Sequence, residues 1–375
     1  MVRNARARLH RSFAQANDPT GRPTTGVSST MMAVSRARKA LCFASALLLT
    51  VMCVLLAAWG CGALWFQGPD TAWLRIGLMG IWVVLAMAAL WACWSPASRR
   101  GLYVFAGGFL GLLVWWGSIA PLQDRQWADD VAQPLRARLE GNTLVVDNVR
   151  NFRWRSETDY DIAWERRSYP LDQVRSADVL LSYWMGPAIA HTLISFGFAD
   201  GRQLVFSLEI RKERDEAFSA LGGFFRKFEV VLVAADERDI VAVRTNARGE
   251  DVYLYRLAGL TPAALQALLR GYVHRAQQLE RAPRFYNTLT SNCTTVIFDL
   301  VRQIVPHLPL DYRLLLSGYL AEYAQEVGGL VPGYSYVQLR DAGRITQRAR
   351  SAGDAGDFSQ QIRRGVPGTS EGAQP

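Results

Sequence analysis

Apolar residues are spread unevenly along the chain. Three runs, Leu41 to Phe66, Ile76 to Trp94 and Gly101 to Ala120, carry almost no charged side chains. Each is at or near the roughly 20 residues that a helix needs to cross a bilayer, so the pattern predicts three transmembrane helices. A cleaved signal peptide would show one short run and does not account for three. After residue 121 the pattern turns to short mixed segments. Residues 122 to about 190 read as strands and loops that lead into a β-hairpin over 191–211. A polar, helix-like stretch follows from Lys212 to Leu221, and Phe228 to Leu257 reads as two or three β-rich segments joined by polar turns. TPAALQALLRGYVHRAQQLE, residues 261–280, is a helix with Thr261 as N-cap and Pro262 in its first turn. Tyr312 to Gln325 predicts a further helix, and Tyr336 to Ile345 a last strand and turn. Beyond about residue 350 no apolar period remains, which predicts a disordered tail. The expected organisation is a basic tail (1–40), three spans (41–121), an α+β domain (122–350) and a tail (351–375).

The sharpest local signal is YNTLTSNCTTVIFDLVRQI, residues 286–304. Polar, turn-forming residues give way to an apolar period at Val296, Ile297, Leu300, Val301 and Ile304, so a helix begins near Asn292 or Cys293. A thiol in that first turn sits among backbone N–H groups at the positive end of the helix dipole, and both favour the thiolate. The same spacing also suits Cys293 as a small buried hydrophobe on the apolar stripe.

In the segment HTLISFGFADGRQLVFSLEIR the turn Ala199-Asp200-Gly201 suits a three-residue loop with glycine in the left-handed region. That register faces Phe196 with Leu204, Ile194 with Phe206 and Thr192 with Leu208, which makes one side of the hairpin almost wholly apolar. A two-residue loop would mix the faces. The other, more polar face then holds Ser195 opposite Val205, Leu193 opposite Ser207 and His191 opposite Glu209. A carboxylate beside an imidazole fixes its tautomer, so this pair supplies the second half of a thiol–imidazole site, or is an edge histidine on a surface glutamate.

Counting narrows the choice. Of five cysteines, Cys42, Cys53, Cys61 and Cys93 lie in the apolar runs, and only Cys293 falls in the domain. Of four histidines, His10 lies in the basic tail, His274 at the outer edge of its helix, and His307 in a proline-flanked turn. His191 is left as the base.

The formal net charge of +9 changes the picture little, because residues 1–40 hold eight Lys/Arg against Asp18 alone, while residues 122–375 hold as many acidic as basic side chains. The charge therefore reports membrane topology and not nucleic-acid binding. With Arg99 and Arg100 in the second loop, the positive-inside rule places the N-terminus in the cytoplasm and the domain outside. In a double-membrane bacterium this means an inner-membrane protein with a periplasmic domain. HExxH, paired CxxC, Walker, strand-linked GxGxxG and GxSxG patterns are absent, so no metal or cofactor is expected.

With both halves in hand, the sequence resembles the Lnb family of bacterial envelope proteins, in its N-terminal periplasmic domain. The resemblance covers roughly residues 145–350. It is carried in order by LSYWMGPAIAHTLISFGFADG, SLEIRKE, GFFRKFE, ADERDIVAVRTNARGEDVYLYRL and YNTLTSNCTT. It implies a circularly permuted papain-like fold, with the histidine before the cysteine. It implies lipoprotein N-acyltransferase chemistry, in which an acyl chain passes from phospholipid to the amine of a lipoprotein N-terminus. Position by position, Cys293 matches the nucleophile and His191 the base, while Glu209 as the orienting residue rests on the hairpin register. Backbone N–H groups at the helix start, with Asn292, would hold the oxyanion. The chain departs from the family in placing three spans before the domain and only a tail after it. Two rival readings stand beside this one. The first is a cell-wall cysteine peptidase or amidase. The second is a non-enzymatic envelope module that grips headgroups through Arg150, Arg153, Trp154, Trp164 and Arg166. Asp236, Arg238, Arg244, Tyr286 and Asn287 read as structural turn residues.

Overall fold

The computed structural model describes residues 25–369 apart from 96–98, 289, 291, 306 and 354–355. Most of the basic tail and part of the second loop thus lie outside the described residues. Chain contacts divide the molecule after Ser118, three residues before the expected boundary.

The first unit is three helices, α1 (Thr25–Gln67), α2 (Ala72–Trp94) and α3 (Arg100–Ser118). Residues 34–67, 72–94 and 100–118 are each long and apolar enough to cross a membrane. Trp82 is the centre of their packing. It lies against Gly60, where an added Cβ would come within 2.4 Å of the indole, and its ring meets Phe105 at 4.8 Å. Indole N–H donation to the Ala57 carbonyl satisfies its one polar atom. The outward residues Leu48, Val51, Val84, Leu110 and Val114 stay exposed, as lipid-facing side chains do.

The second unit is built on an eight-stranded sheet, ordered β1-β2-β9-β8-β7-β6-β10 with β5 also paired to β2. The strands are β1 (Arg136–Glu140), β2 (Thr143–Arg150), β5 (Trp164–Pro170), β6 (Val174–Tyr183), β7 (Ala190–Phe198), β8 (Gln203–Arg211), β9 (Glu229–Ala235) and β10 (Asp251–Arg256). A small hairpin of β3 (Arg153–Trp154) and β4 (Tyr160–Asp161) stands apart. All main-sheet pairings are antiparallel except β2 with β9. Helices cover both faces. On one side α6 (Pro262–Arg281), α7 (Cys293–Arg302), α8 (Leu320–Glu326) and α9 (Tyr336–Gly343) close a core with Ile194, Phe196 and Phe206. On the other side α5 (Glu237–Ala242), α10 (Thr346–Ala352) and α11 (Phe358–Arg363) pack on Leu180, Leu193 and Val205. With both faces covered, β9 is buried at every residue, which is why EVVLVAA shows no alternation.

The hairpin forms in the expected register. Phe196 faces Leu204, Ile194 faces Phe206 and Leu193 faces Ser207, and Gly201 takes φ +82° at the turn. Its second face is not solvated, however, because Ser195 and Ser207 are both buried beneath the α5 and α11 side.

Several expectations are corrected. Lys212 to Leu221 is mostly extended and turning chain, with a short helix, α4 (Ala220–Phe224), only at its end, capped by Ser219. The polar turn expected after β9 is a helix, because Asp236 caps α5 by accepting from the Arg238 N–H, and a π-turn over Val243–Ala247 extends it. Tyr336–Gly343 is helix α9 and not a strand, since Ser335 and Gln338 make a reciprocal capping box. Nor is the segment after residue 350 disordered as far as Thr369. Phe358, Ile362 and Val366 recur every fourth residue as one buried stripe, and Arg363 pairs in the interior with Asp178 and Glu237. Three apolar residues among many glycines and serines gave too weak a period to register.

Candidate active site

Helix α7 starts at Cys293 because Asn292 caps it. The Asn292 side-chain oxygen accepts from the N–H groups of Thr294 (3.0 Å) and Thr295 (2.9 Å), and the Thr295 hydroxyl returns to the Asn292 N–H at 3.0 Å. The Asn292 amide nitrogen donates to the Thr288 carbonyl at 2.9 Å, fixing the preceding turn. Its carbonyl is spent on the cap and one of its two amide N–H donors on the loop, so the side chain builds the helix start. Cys293 is 8 % exposed, reachable yet shielded.

His191 stands at the beginning of β7, in register with Ser182 of β6. Its Nε2 is 2.7 Å from the Ser207 hydroxyl and 3.3 Å from Glu209 Oε1. The Ser207 hydroxyl donates its own proton to Glu209 Oε1 at 2.6 Å, so towards Nε2 it can only accept. Nε2 therefore carries hydrogen, and Nδ1 is the nitrogen left to exchange a proton with the thiol. The expected His191–Glu209 pair is present, and Ser207 stands between its members as a relay.

Behind Glu209 lies a second, buried cation. Arg244, which read as a turn residue, comes from the π-turn after α5. Its Nη2 donates to Glu209 Oε1 at 2.9 Å and its Nη1 reaches Glu250 Oε2 at 3.4 Å. The Ser182 hydroxyl donates to the same Glu250 oxygen. The chain of contacts thus runs Cys293, His191, Ser207 and Glu209, Arg244, Glu250, Ser182.

Electrostatics follow from this arrangement. Burial pushes the Cys293 thiol up, but His191 charge and hydrogen bonding, with the Thr192 N–H and the Thr294 hydroxyl, outweigh it and bring the thiol down to about 7. For His191, burial alone favours the neutral ring; Glu209 and Cys293 overcome burial and the opposing Arg244 charge, raising it to about 9. Burial disfavours the Glu209 carboxylate, yet His191 and Arg244 hold it well below the usual carboxylate range. Between about pH 7 and 9 the pair is thus a thiolate beside an imidazolium. Two tyrosines face the same sulfur: burial first, and Cys293 charge second, push the hydroxyls of Tyr272 and Tyr286 up. The Tyr272 hydroxyl is buried with no hydrogen-bond partner among the described residues.

The other expected histidines are elsewhere. His274 is exposed and meets Gln278 on its own helix, and His307 is exposed in a turn at φ +73°. Arg150 and Trp154 do not present a grip, since both bond Asp239 and Arg150 is buried. No group of His, Cys, Asp or Glu side chains suited to a metal occurs among the described residues.

A buried thiol at a helix start and an imidazole on a neighbouring strand define a thiol–imidazole site carried by a mixed α/β domain. Residues 160–318 match the family described as the Lnb N-terminal periplasmic domain, which supports the resemblance to the Lnb family over that stretch. The match spans every residue of the site, from Ser182 to Cys293, within the stretch where the resemblance was expected. No curated protein and no solved structure matches the chain. With its three apolar helices, this is a membrane-anchored protein bearing a periplasmic-family domain.

Proposed function

We propose that the protein is a cysteine acyltransferase of the bacterial inner membrane, its domain a permuted papain-like fold on the periplasmic side. The observation that carries this reading is the Cys293 thiol at the α7 cap, beside an imidazole whose far nitrogen is held by Ser207 and Glu209. The Cys293 thiolate attacks the carbonyl carbon of a phospholipid acyl ester. The C–S bond forms, the C–O bond breaks, and the leaving alkoxide takes the proton from His191 Nδ1. An acceptor amine, that of a lipoprotein N-terminus, then attacks the thioester. His191 removes its proton, the C–S bond breaks, and an amide and the thiolate result. The backbone N–H of Cys293 and the unpartnered Tyr272 hydroxyl serve the oxyanion. His191 keeps its role as base, and Glu209 orients it through Ser207.

The test is direct trapping. The full chain is reconstituted in phospholipid vesicles, and intact-protein mass spectrometry looks for an acyl adduct that hydroxylamine removes and that Cys293→Ala lacks. A hydroxylamine-labile acyl mass on Cys293 supports the reading. Release of peptidoglycan fragments without any acyl adduct would overturn it in favour of a peptidase.

A further inference from the structure

Beside α7 lies an apolar cavity of about 270 Å³. Ile297, Phe298, Val301 and Ile304 form one wall, Leu320 and Val327 close the opposite side, and Ile194 of β7 lies at its floor. From its location and lining we infer that this cavity is the seat of the hydrocarbon chain whose carbonyl reacts at Cys293, so that the protein selects its acyl donor by chain length. The inference rests on the acyl-transfer reading of the site and adds to it a second, separate binding element.

The argument begins with the helix. Residues 293, 297, 300, 301 and 304 recur at three- and four-residue spacing, so the thiol and the cavity wall share one face of α7. At 1.5 Å per residue, Ile297 lies about 6 Å and Val301 about 12 Å along the axis from Cys293. Ile194 of β7, on the sheet face that α7 covers, lines the cavity together with the α7 residues that follow Cys293. A chain that enters along this face can place its carbonyl at the sulfur.

The chemistry of the lining selects the occupant. Among the described residues no charged side chain borders the cavity, and Tyr323, the one described lining side chain with a hydroxyl, donates its OH to the Pro309 carbonyl. A headgroup, sugar or peptide would lose its hydrogen bonds in such a place; a run of methylenes loses none. At about 30 Å³ for a group the size of a water molecule, the cavity takes roughly nine such groups. Val305, 40 % exposed, belongs to the lining, so the cavity reaches the surface there, and beyond it Leu310, Tyr312 and Leu315 are 78 %, 64 % and 51 % exposed. An apolar rim around an apolar mouth suits a donor drawn from a bilayer, and the chain carries its own three membrane-spanning candidates.

The experiment uses the full chain with Cys293→Ala and a series of saturated fatty acids bearing a terminal diazirine. Irradiation and peptide mapping should place the label on residues 297–305 and 320–328. Apparent affinity should rise about fourfold per added methylene, from roughly 0.8 kcal/mol each, and level off once the cavity is full. Ala324→Phe fills the space and should lower labelling at least about tenfold. Val305→Asp puts a charge at an exposed position of the mouth, where folding is not at risk, and should do the same. Labelling confined to residues 34–118, or unaffected by both substitutions, overturns the inference. The two proposals fail separately. A labelled cavity without a thioester in the wild type sinks acyl transfer alone, and a thioester that forms equally fast at every chain length sinks the cavity alone.

Discussion

One imidazole nitrogen of His191 is committed to Ser207 and the other is left to the thiol, and this division sets what single substitutions should do. In the native protein, alkylation of Cys293 by iodoacetamide should follow an apparent pKa near 7, the value to which His191 brings the thiol. With His191→Ala the profile should move up, towards or beyond the roughly 8.5 of a free cysteine, and a profile that stays in place would remove the pair from the mechanism. Tyr272→Phe should leave alkylation unchanged but slow thioester formation by about a hundredfold, the range for losing one oxyanion donor, read from burst kinetics. Glu209→Gln should act on both function and stability. It leaves Arg244 buried with Glu250 alone, a loss on the order of 3 kcal/mol or more by urea unfolding, and it frees the ring of His191. The sign with pH follows from both members of the pair. The raised histidine's contribution to stability is complete below its ordinary 6.5 and is lost as pH rises through about 9, while the lowered Cys293 thiol gains stability as pH rises from about 7 to 9. The two nearly cancel, so thermal stability should change little across that window in the wild type but fall across it in Cys293→Ala, where the histidine stands alone. The His191–Glu209 pair was legible because a hairpin register is arithmetic once the turn is known. Arg244 was not legible. It reaches Glu209 from a π-turn that reads as a polar loop, and no local pattern shows which distant carboxylates a buried arginine will find.

At the scale of elements, what the sequence shows depends on length and period. α6 and α7 were readable from their caps and apolar stripes, and the β7–β8 hairpin from its turn. α5, α9 and α11 are only six to eight residues long, and their type is set by caps such as Asp236 and Ser335 and by the sheet they cover. The Asn292 cap links this scale to the chemistry. Asn292→Ala should cost about 1 kcal/mol by chemical denaturation and raise the alkylation pKa of Cys293, because the first turn would fray under the thiolate, while Asn292→Asp should restore the stability. A variant that loses neither stability nor thiol acidity would mean that the cap is incidental to the site.

At the scale of the whole molecule, the chain is two units with different solvents. The pattern of apolar runs differs between them, since lipid-facing helices need an unbroken run while a two-faced sheet needs only short ones. It did not foretell how the second unit is finished. Arg363 joins Asp178 on β6 to Glu237 on α5, two carboxylates that are otherwise sealed inside, and it does so from the last helix in the described chain. The sequence separation between Asp178 and Arg363 is 185 residues, with His191 and Cys293 lying between them. The order of synthesis therefore matters. Until residue 363 has been made, Asp178 has Arg256 alone and Glu237 lacks its cation, so the sheet beside β7 is not finished, and the acidic thiol depends on that packed strand and on α7. The thiol is thus an ordinary cysteine as it is made, and it turns acidic only once β7 and α7 have packed and brought His191 beside it.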